Sequence, residues 1–517
     1  MKKRLTACLA GLALVVSLAG CGGTAVDKTG DAGQDLTLKM VFGGVGKMSD
    51  SDRVWETFNQ KLGDYLPHTQ VEFEVIPFSD YAEKWRLMAA AKETVDVAWA
   101  GYVLDFNEET QKGSYLDMTD LIDKYAPDMK AELPDWLFDL GKVNGKVYCI
   151  PNYQMMVTLP QGTRVHSELA KKYGLDEAEI TRRFSENRVR TREDLQPFED
   201  YLAALAANGD LRKGVSPTFI ESIVRKLGMP ESLETIVANA AINYEEDGFH
   251  VYNTLTDFPG NDVSYEVLND WYNKGYIRKD MMALQDQRQD EGKEDGYVMW
   301  VHQALKGSAE SETQKYGFPI DVIPMNQKLF VPSGKSTTNL VIPATAQNPA
   351  RSMGLIDLLN TKKGAELYNL LVYGLEGVHY EKVSDTRINW LEKSAPGNSK
   401  DNHYGYQNWA LGNTFHSYET QYNPEGWLEY LEKDVNDKAL KSPLMGFSLD
   451  TKPIKLELAQ YNTVIREYKY LETISSNDYQ SLLQERNEKL KNAGSEKIVQ
   501  EVQRQINQWL AEGNGGK

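Results

Sequence analysis

Strand-like and helix-like segments alternate near the start of the sequence. Residues 36–42 alternate with a period of two, and residues 51–66 carry apolar side chains at the spacing of a helix. Two more strand-like segments, 71–76 and 95–99, flank a second helical segment at 81–91. Strands separated by helices of this length usually pair in parallel, so the pattern predicts βαβ units in an α/β layered domain.

The same alternation returns later, at 296–301 and at 340–342, where a helix is predicted over about 350–373. The end of the chain differs. Three helical runs, 454–471, 478–492 and 496–509, follow one another with few breakers between them. The sequence therefore predicts an α/β protein with a helical C-terminus.

Length and charge limit the classes of protein that fit this pattern. A chain of 517 residues is long enough for about two to four domains. The formal net charge is -18, with 75 acidic against 57 basic residues, and no basic stripe stands out. Binding to nucleic acid needs such a stripe to neutralise phosphates, so the composition argues against that partner.

The first 20 residues have the features of an export signal: a basic start at residues 2–4 and an uncharged apolar core over 5–19. The sequence Leu-Ala-Gly-Cys at 18–21 resembles the bacterial lipobox, in which the cysteine becomes the lipidated first residue. We predict a signal peptide at 1–20, lipidation at Cys21 and a flexible tether over 21–35. A plain signal peptide and an uncleaved anchor helix are the alternatives. Lipidation predicts a location on the extracytoplasmic face of the cell membrane.

The three cysteines do not form a disulfide framework in this interpretation. Cys8 leaves with the signal peptide and Cys21 carries the lipid, so Cys149 remains alone. A reactive thiol is one possibility for Cys149. Its neighbours form an apolar, strand-like run, and this favours a buried, inert thiol.

Signatures of catalysis and of metal binding are absent from the sequence. The seven His include no pair at i, i+4, and there is no G-x-S-x-G motif. The segment 333–337 imitates the end of a phosphate-binding loop, but Leu329 stands where the first Gly would be required. We therefore predict no catalytic residues, no metal and no cofactor. Carboxylates are numerous, so a secreted glycan hydrolase is kept as an alternative, with an adhesion lipoprotein beside it.

Aromatic residues follow several of the predicted strands, where ligands bind in open α/β sheets. Such rings can stack on sugars, while amides and carboxylates satisfy sugar hydroxyls. Core packing is the alternative for each of them, with Trp300 the strongest ligand candidate. The candidate ligand-binding residues are Trp300, Tyr102, Trp99, Tyr153, Tyr406 and Trp409.

Several segments resemble a bacterial protein family. The lipobox, Asp-Val-Ala-Trp at 96–99, the segment 113–122 and Val-Asn-Gly-Lys-Val-Tyr-Cys-Ile-Pro at 143–151 are similar to family 1 extracellular solute-binding proteins of ABC importers. Asn-Leu-Val-Ile-Pro at 339–343 is similar as well. Segments 373–380 and 444–450 resemble the LipO-type subgroup, which carries a C-terminal region of unassigned function. The resemblance covers nearly the whole mature chain.

The resemblance implies the periplasmic-binding-protein type II fold, in which two α/β lobes are joined by a hinge and solute is held between them. By analogy, lobe one is expected at 36–150 plus 343–445, and lobe two at 151–342 plus 446–512, with hinge crossings near Pro151, Ile342 and Gly446. The LipO-type C-terminal region is expected at 375–512. Trp300 and Tyr102 match cleft-facing positions of the family.

The expected function is non-catalytic. A lipid-anchored, monomeric receptor would capture a small solute, with an oligosaccharide as the leading candidate, and deliver it to ABC permease subunits.

Overall fold

The computed structural model describes residues 33–515, apart from internal gaps. The gaps are 159–160, 187–188, 246–248, 284–298, 326–327, 334–337, 392–393 and 395–402, and the side chains of residues 161, 259 and 300–303 are also left out. The predicted lipidation site Cys21 lies outside the described residues.

The largest sheet among the described residues has five strands and forms the centre of the first lobe. Its three N-terminal strands are parallel, with Leu36 opposite Thr69 and Met40 opposite Val97. The last two strands run antiparallel to their neighbours. In spatial order the strands are Thr69–Pro77, Leu36–Gly44, Val97–Trp99, Asn339–Val341 and Ile150–Pro151. The parallel βαβ prediction is confirmed for the first three.

Helices cover this sheet because each of them has an apolar face. Ser51–Tyr65 buries Val54, Trp55, Phe58 and Leu62, which share one side of a helix. The helices of this lobe are Ser51–Tyr65, Phe78–Ala91, Phe106–Gln111, Thr119–Tyr125, Pro127–Glu132, Asp135–Leu140, Pro349–Asn360 and Ala365–Tyr373. Its buried core draws on residues 38–157 and 331–439, and it includes Cys149, which is buried as predicted.

The predicted helix over 350–373 is two helices in the structure. A short 3₁₀ turn, Lys362–Gly364, separates them. A side chain at Gly364 would place its Cβ 2.0 Å from the carbonyl oxygen of Leu358, so the chain can make this turn only with glycine. The helical spacing of apolar residues continues across this turn, so the turn could not be predicted from the spacing.

Smaller hairpins and ribbons complete the first lobe. Lys142–Val143 pairs with Lys146–Val147, and Tyr380–Lys382, Arg387–Trp390 and Glu419–Thr420 form a small sheet. The helical turn Trp427–Glu429 continues into a π-helix at Tyr430–Asn436.

The second lobe contains two large cores and two small ones among the described residues. In the first of them, Gln161–His166 lies between Met299–Gln303 and Ile320–Pro324, and all pairings are antiparallel. The helices around this sheet are Ser167–Lys172, Glu177–Glu186, Gln196–Ala207, Pro217–Ser222, Val263–Asn273 and Ser308–Tyr316. The buried residues of this core come from 165–325.

The other large core of the second lobe joins a small antiparallel sheet to the end of the chain. Its strands are Val251–Asn253, Ala240–Asn243 and Leu233–Val237. Its helices are Lys455–Glu467, Tyr479–Asn492 and Ser495–Ala511. Ile498, Val502 and Ile506 recur at helical spacing and are buried against the sheet. The predicted helical C-terminus and the predicted α/β class are confirmed.

Two short strands connect the lobes side by side. Phe330–Val331 pairs in parallel with Leu440–Lys441. The buried carboxylate of Glu234, on a strand of the second lobe, accepts the Ser333 amide at 2.5 Å and the Ser442 hydroxyl at 2.5 Å. Ser333 and Ser442 each lie just beyond one of the paired strands, so Glu234 bonds a second-lobe strand to the chain after both of them.

Candidate functional site

A cavity of about 500 Å³ lies between the lobes, beyond the end of strand Val97–Trp99. The segment 100–107 forms its wall on the first lobe. Strand Leu233–Val237 and the C-terminal region contribute the wall on the second lobe. The lining residues are Ala100, Gly101, Tyr102, Val103, Leu104, Asp105, Phe106, Asn107, Thr235, Ile236, Ser333, Asn339, Phe447 and Leu449. This position agrees with the rule that ligands bind beyond the carboxyl ends of strands in open α/β sheets.

Four aromatic side chains lie together on the first-lobe side, and we call Phe78, Trp99, Tyr102 and Trp409 the aromatic cluster. The rings of Phe78 and Trp409 are stacked, with centroids 5.5 Å apart. The Tyr102 ring lies 6.0 Å from Phe78 and 6.4 Å from Trp409. Tyr102 is 57% exposed, whereas Phe78 and Trp409 are half-buried. The cluster therefore presents the Tyr102 ring to solvent on a support of other rings.

Two glycines make this close packing possible. A Cβ on Gly43 would lie 2.6 Å from the ring of Phe78, and a Cβ on Gly101 would lie 1.7 Å from the ring of Trp99. Real Cβ atoms do not approach other atoms so closely, so any side chain at either position would displace a ring. The aromatic cluster thus requires glycine at position 43, near the end of strand Leu36–Gly44, and at position 101, just after strand Val97–Trp99.

Trp99 is the buried base of the aromatic cluster. It is fully buried, its ring meets that of Tyr81 edge-on at 4.9 Å, and its carbonyl accepts the Tyr81 hydroxyl at 2.6 Å. Burial raises the pKa of Tyr81 well above its usual range. Gly101 lets the Trp99 ring fold beneath the chain, and the expected contact of Trp99 with ligand stays a prediction. Trp99 supports Tyr102, which it touches edge-on at 5.8 Å.

The polar groups at the cavity have defined positions. Asp105 caps the helix Phe106–Gln111 by accepting the Glu108 amide at 2.9 Å. Asn339 donates from its side chain to the Ala100 carbonyl at 2.8 Å. Asn107 accepts the Ser448 hydroxyl at 2.8 Å. Among the described lining residues, Asp105 supplies the one carboxylate and none is Lys, Arg or His. Amide, hydroxyl and carboxylate groups are the partners that sugar hydroxyls need.

A buried carboxylate fixes the helix that carries Asn107. Glu109 accepts hydrogen bonds from Trp85 Nε1 at 3.2 Å, Ser114 Oγ at 2.8 Å and Lys112 Nζ at 3.0 Å. Burial alone would raise the pKa of Glu109, but these hydrogen bonds and the Lys112 charge outweigh it, and the pKa is lowered. Glu109 is therefore ionised and stabilises this wall of the cavity.

Tyr153 and Tyr406 are core residues of the first lobe. Tyr153 is 2% exposed and packs edge-on against Phe415 at 4.7 Å. Tyr406 is 3% exposed, donates to the Gly46 carbonyl at 3.2 Å, and burial raises its pKa to about 12. Neither lines the cavity in this structure, where both pack in the first-lobe core, and their contact with ligand stays a prediction.

Of the two remaining predicted ligand-binding residues, Trp409 has a described side chain and Trp300 does not. Trp409 belongs to the aromatic cluster, and its carbonyl accepts the Thr338 hydroxyl at 2.9 Å. Trp300 lies in strand Met299–Gln303, but its side chain lies outside the described residues. Its contact with ligand stays a prediction, as does lipidation at Cys21.

Sequence reasoning missed Phe78 of the aromatic cluster and several residues that line the cavity. Phe78 directly follows strand Thr69–Pro77, so the strand-end rule that led to Trp99 could also have identified it. Thr235, Ile236 and Phe447 gave no such signal, because their place at the cavity depends on how the lobes pack.

The described residues contain neither a candidate metal site nor a candidate membrane span. No group of His, Cys, Asp or Glu there could hold a metal ion. Within the same residues, no helix has both the length and the apolar character needed to cross a membrane.

Comparisons with known proteins agree with this geometry. Residues 443–511 match the model of DUF3502, a domain of unknown function. The chain is 26% identical, over 98% of its length and 98% of the relative, to a carbohydrate ABC transporter substrate-binding protein of Streptococcus pneumoniae serotype 4.

Solved structures of Streptococcus pneumoniae NgtS, an N-glycan transport solute-binding protein, have the same fold. One matches with a TM-score of 0.75 and 23% identity, covering 92% of this chain and 100% of that one. The complex of that protein with Man5GlcNAc matches with a TM-score of 0.63 and 23% identity, covering 92% and 99%. The fold is thus that of type II solute-binding proteins, and the resemblance drawn from the sequence is confirmed.

Proposed function

We propose that this chain, a two-lobed protein of the type II solute-binding fold, captures an oligosaccharide between its lobes and delivers it to a bacterial ABC importer. The observation that carries the proposal is the exposed Tyr102 ring, supported by the aromatic cluster at the interlobe cavity. Relatives described as carbohydrate or N-glycan binding proteins support the same ligand class.

The site would hold a sugar by two kinds of contact. The apolar face of a pyranose ring stacks on Tyr102, because aromatic faces attract the C–H groups of that face and exclude water. Asp105, Asn107 and Thr235 then pair with hydroxyl groups. No bond is made or broken, and the solute leaves chemically unchanged.

Binding is coupled to the relative position of the lobes. Along the chain, the buried residues pass from the core of one lobe to a core of the other at three places. These lie between 157 and 165, between 325 and 331, and between 439 and 444. We place the three chain crossings in these intervals. This moves the middle boundary from the expected residue 343, because strand Asn339–Val341 is part of the first-lobe sheet. A ligand that touches both lobes stabilises their closed arrangement.

The proposal includes anchoring and partners. Lipid at Cys21 and the tether over 21–35 would hold a monomeric receptor on the extracytoplasmic face of the membrane, close to the permease subunits. The signal peptide at 1–20 would direct export.

The test is calorimetric titration of the mature chain with Man5GlcNAc and a panel of other neutral oligosaccharides. Each mixture is then analysed for the chemical state of the sugar. We expect saturable binding with full recovery of the intact glycan. Release of reducing sugar would support the hydrolase alternative, and no binding across the panel would refute the oligosaccharide assignment.

A further inference from the structure

We infer that the C-terminal domain at 443–511, whose function is unknown, forms one wall of the binding cavity and fixes the spacing of that wall from Tyr102. The inference rests on the proposed function, since it assumes that the interlobe cavity holds the solute. It assigns the domain a role in recognition, through the segment Phe447–Ser448–Leu449.

This segment lies at the cavity and within the domain. Phe447 and Leu449 line the cavity, yet they are only 8% and 6% exposed. Most of each side chain is buried in the core formed with the C-terminal helices. A small apolar surface held from behind by a packed core is a rigid wall, because the side chains that present it have little freedom to move.

The last helix, Ser495–Ala511, holds the segment in two ways. Trp509 meets the Phe447 ring edge-on at 5.8 Å. Gln505 donates to the Asp450 carbonyl at 2.8 Å and accepts the Asp450 amide at 2.8 Å, so one side chain satisfies both backbone groups of that residue. Helix Ser495–Ala511 therefore fixes the position of the segment that forms the second-lobe wall.

The wall is also bonded to the first lobe. Ser448 Oγ donates to Asn107 Oδ1 at 2.8 Å, and Asn107 belongs to the helix Phe106–Gln111 that follows Tyr102 by a few residues. Asn107 itself lines the cavity. This cross-lobe hydrogen bond links the two walls directly beside the space between them.

The arrangement fits a ligand with apolar faces on both sides. Tyr102 faces the cavity from the first lobe, and Phe447, Leu449 and Ile236 line it from the second. A hexose ring with one C–H face toward each wall, and hydroxyls at its rim near Asn107 and Thr235, satisfies both kinds of surface.

The experiment is calorimetric titration of the mature chain with Man5GlcNAc, comparing wild type with Ser448→Ala, Asn107→Ala and the double variant. Loss of one hydrogen bond that fixes the walls should weaken binding by about fivefold. If the two side chains act as a pair, the double variant should bind about as well as Asn107→Ala alone. Leu449→Ala should weaken binding by about three- to tenfold through lost apolar contact.

Melting temperatures and a control variant separate an effect on recognition from an effect on folding. Melting temperatures are recorded for every variant, because Leu449 is largely buried and its loss also destabilises the core. Ser448→Ala should leave the melting temperature nearly unchanged while it lowers affinity. Thr463→Ala is the matched control, since Thr463 is exposed on a helix of the same domain and bonds only locally, to Ala459 and Arg466, in the hydrogen bonds described.

The outcomes distinguish this inference from the proposed function. If wild type binds Man5GlcNAc and both Ser448→Ala and Leu449→Ala bind it equally well, the inference is overturned and the proposed function stands. If wild type binds none of the glycan panel, the proposed function fails and the inference fails with it. Additive effects in the double variant would overturn the pairing of Asn107 with Ser448.

Discussion

Replacing Tyr102 by Ala is the most direct test of the aromatic cluster. Tyr102 is 57% exposed, which leaves about 110 Å² of a side chain of roughly 200 Å² open to a ligand. A sugar that covers half to all of that area gains about 1.4 to 2.8 kcal/mol at about 25 cal/mol per Å². Tyr102→Ala should therefore weaken binding by about 10- to 100-fold.

The stability of this variant should change little. The ring borders Phe78, Trp99 and Trp409 at 5.8 to 6.4 Å, and it contacts no other ring among the residues that the structure describes. Removing such a group costs about 0 to 1 kcal/mol, far less than emptying a core. A loss of 0 to about 1 kcal/mol lowers a melting temperature by only a few degrees, so we expect a shift of that size for the ligand-free variant.

Calorimetry with Man5GlcNAc and thermal denaturation without ligand measure the two quantities separately. Tyr422→Ala is the matched control, because Tyr422 is 54% exposed and does not line the cavity. Unchanged affinity for Tyr102→Ala would refute the stacking argument. A large loss of stability would show that Tyr102 is a core residue instead.

Four further changes have defined outcomes. Gly101→Ala should displace the Trp99 ring, because its Cβ would lie 1.7 Å from that ring, and both affinity and near-UV circular dichroism should change. The pKa of Glu109 is lowered by folding, so ionised Glu109 stabilises the folded protein above the unfolded pKa of about 4.5, and this stabilisation is lost as pH falls through the folded pKa. In urea unfolding, Glu109→Gln should therefore lose less stability in acid than wild type does. Cys21→Ser should release the protein from membranes, and fractionation that matches wild type would contradict lipidation. Trp300→Ala should weaken binding by about 1 to 3 kcal/mol with its melting temperature retained, whereas a core position would lose about 3 to 5 kcal/mol of stability.

The fold could be predicted from the sequence where local pattern and global structure agree. Strand Leu36–Gly44, helix Ser51–Tyr65 and strand Thr69–Pro77 follow from periodicity alone, and their parallel pairing follows from the helix between the strands. Strand Asn339–Val341 was predicted as a strand, but its antiparallel place in the first-lobe sheet was not. Its neighbour in the sheet, strand Val97–Trp99, lies some 240 residues earlier in the chain. The local pattern of the sequence does not encode pairing over such a separation.

The site could be predicted only in part, because adjacent aromatics have opposite roles. Trp99 ends strand Val97–Trp99 and Tyr102 comes three residues later, yet Trp99 is fully buried and Tyr102 is 57% exposed. Gly101 decides between them, since it lets the Trp99 ring fold under the backbone. Phe447 lies more than 300 residues away in sequence, and its place at the cavity follows from packing against Trp509.

The buried carboxylate of Glu234 joins the second-lobe wall of the cavity to the chain beside the two paired strands. Thr235 and Ile236 line the cavity on the same strand as Glu234, whose oxygens accept hydrogen bonds from Ser333 and Ser442 beside the paired crossing strands. A solute that contacts Thr235 or Ile236 thus contacts a strand already bonded to two crossings. Under the proposed function, the strand that touches solute is bonded directly to the chain at two of the three proposed crossings, and this would couple solute binding to the hinge. Glu234 is buried, so loss of these hydrogen bonds would be costly, and we expect its bonds to Ser333 and Ser442 to persist when the lobes move.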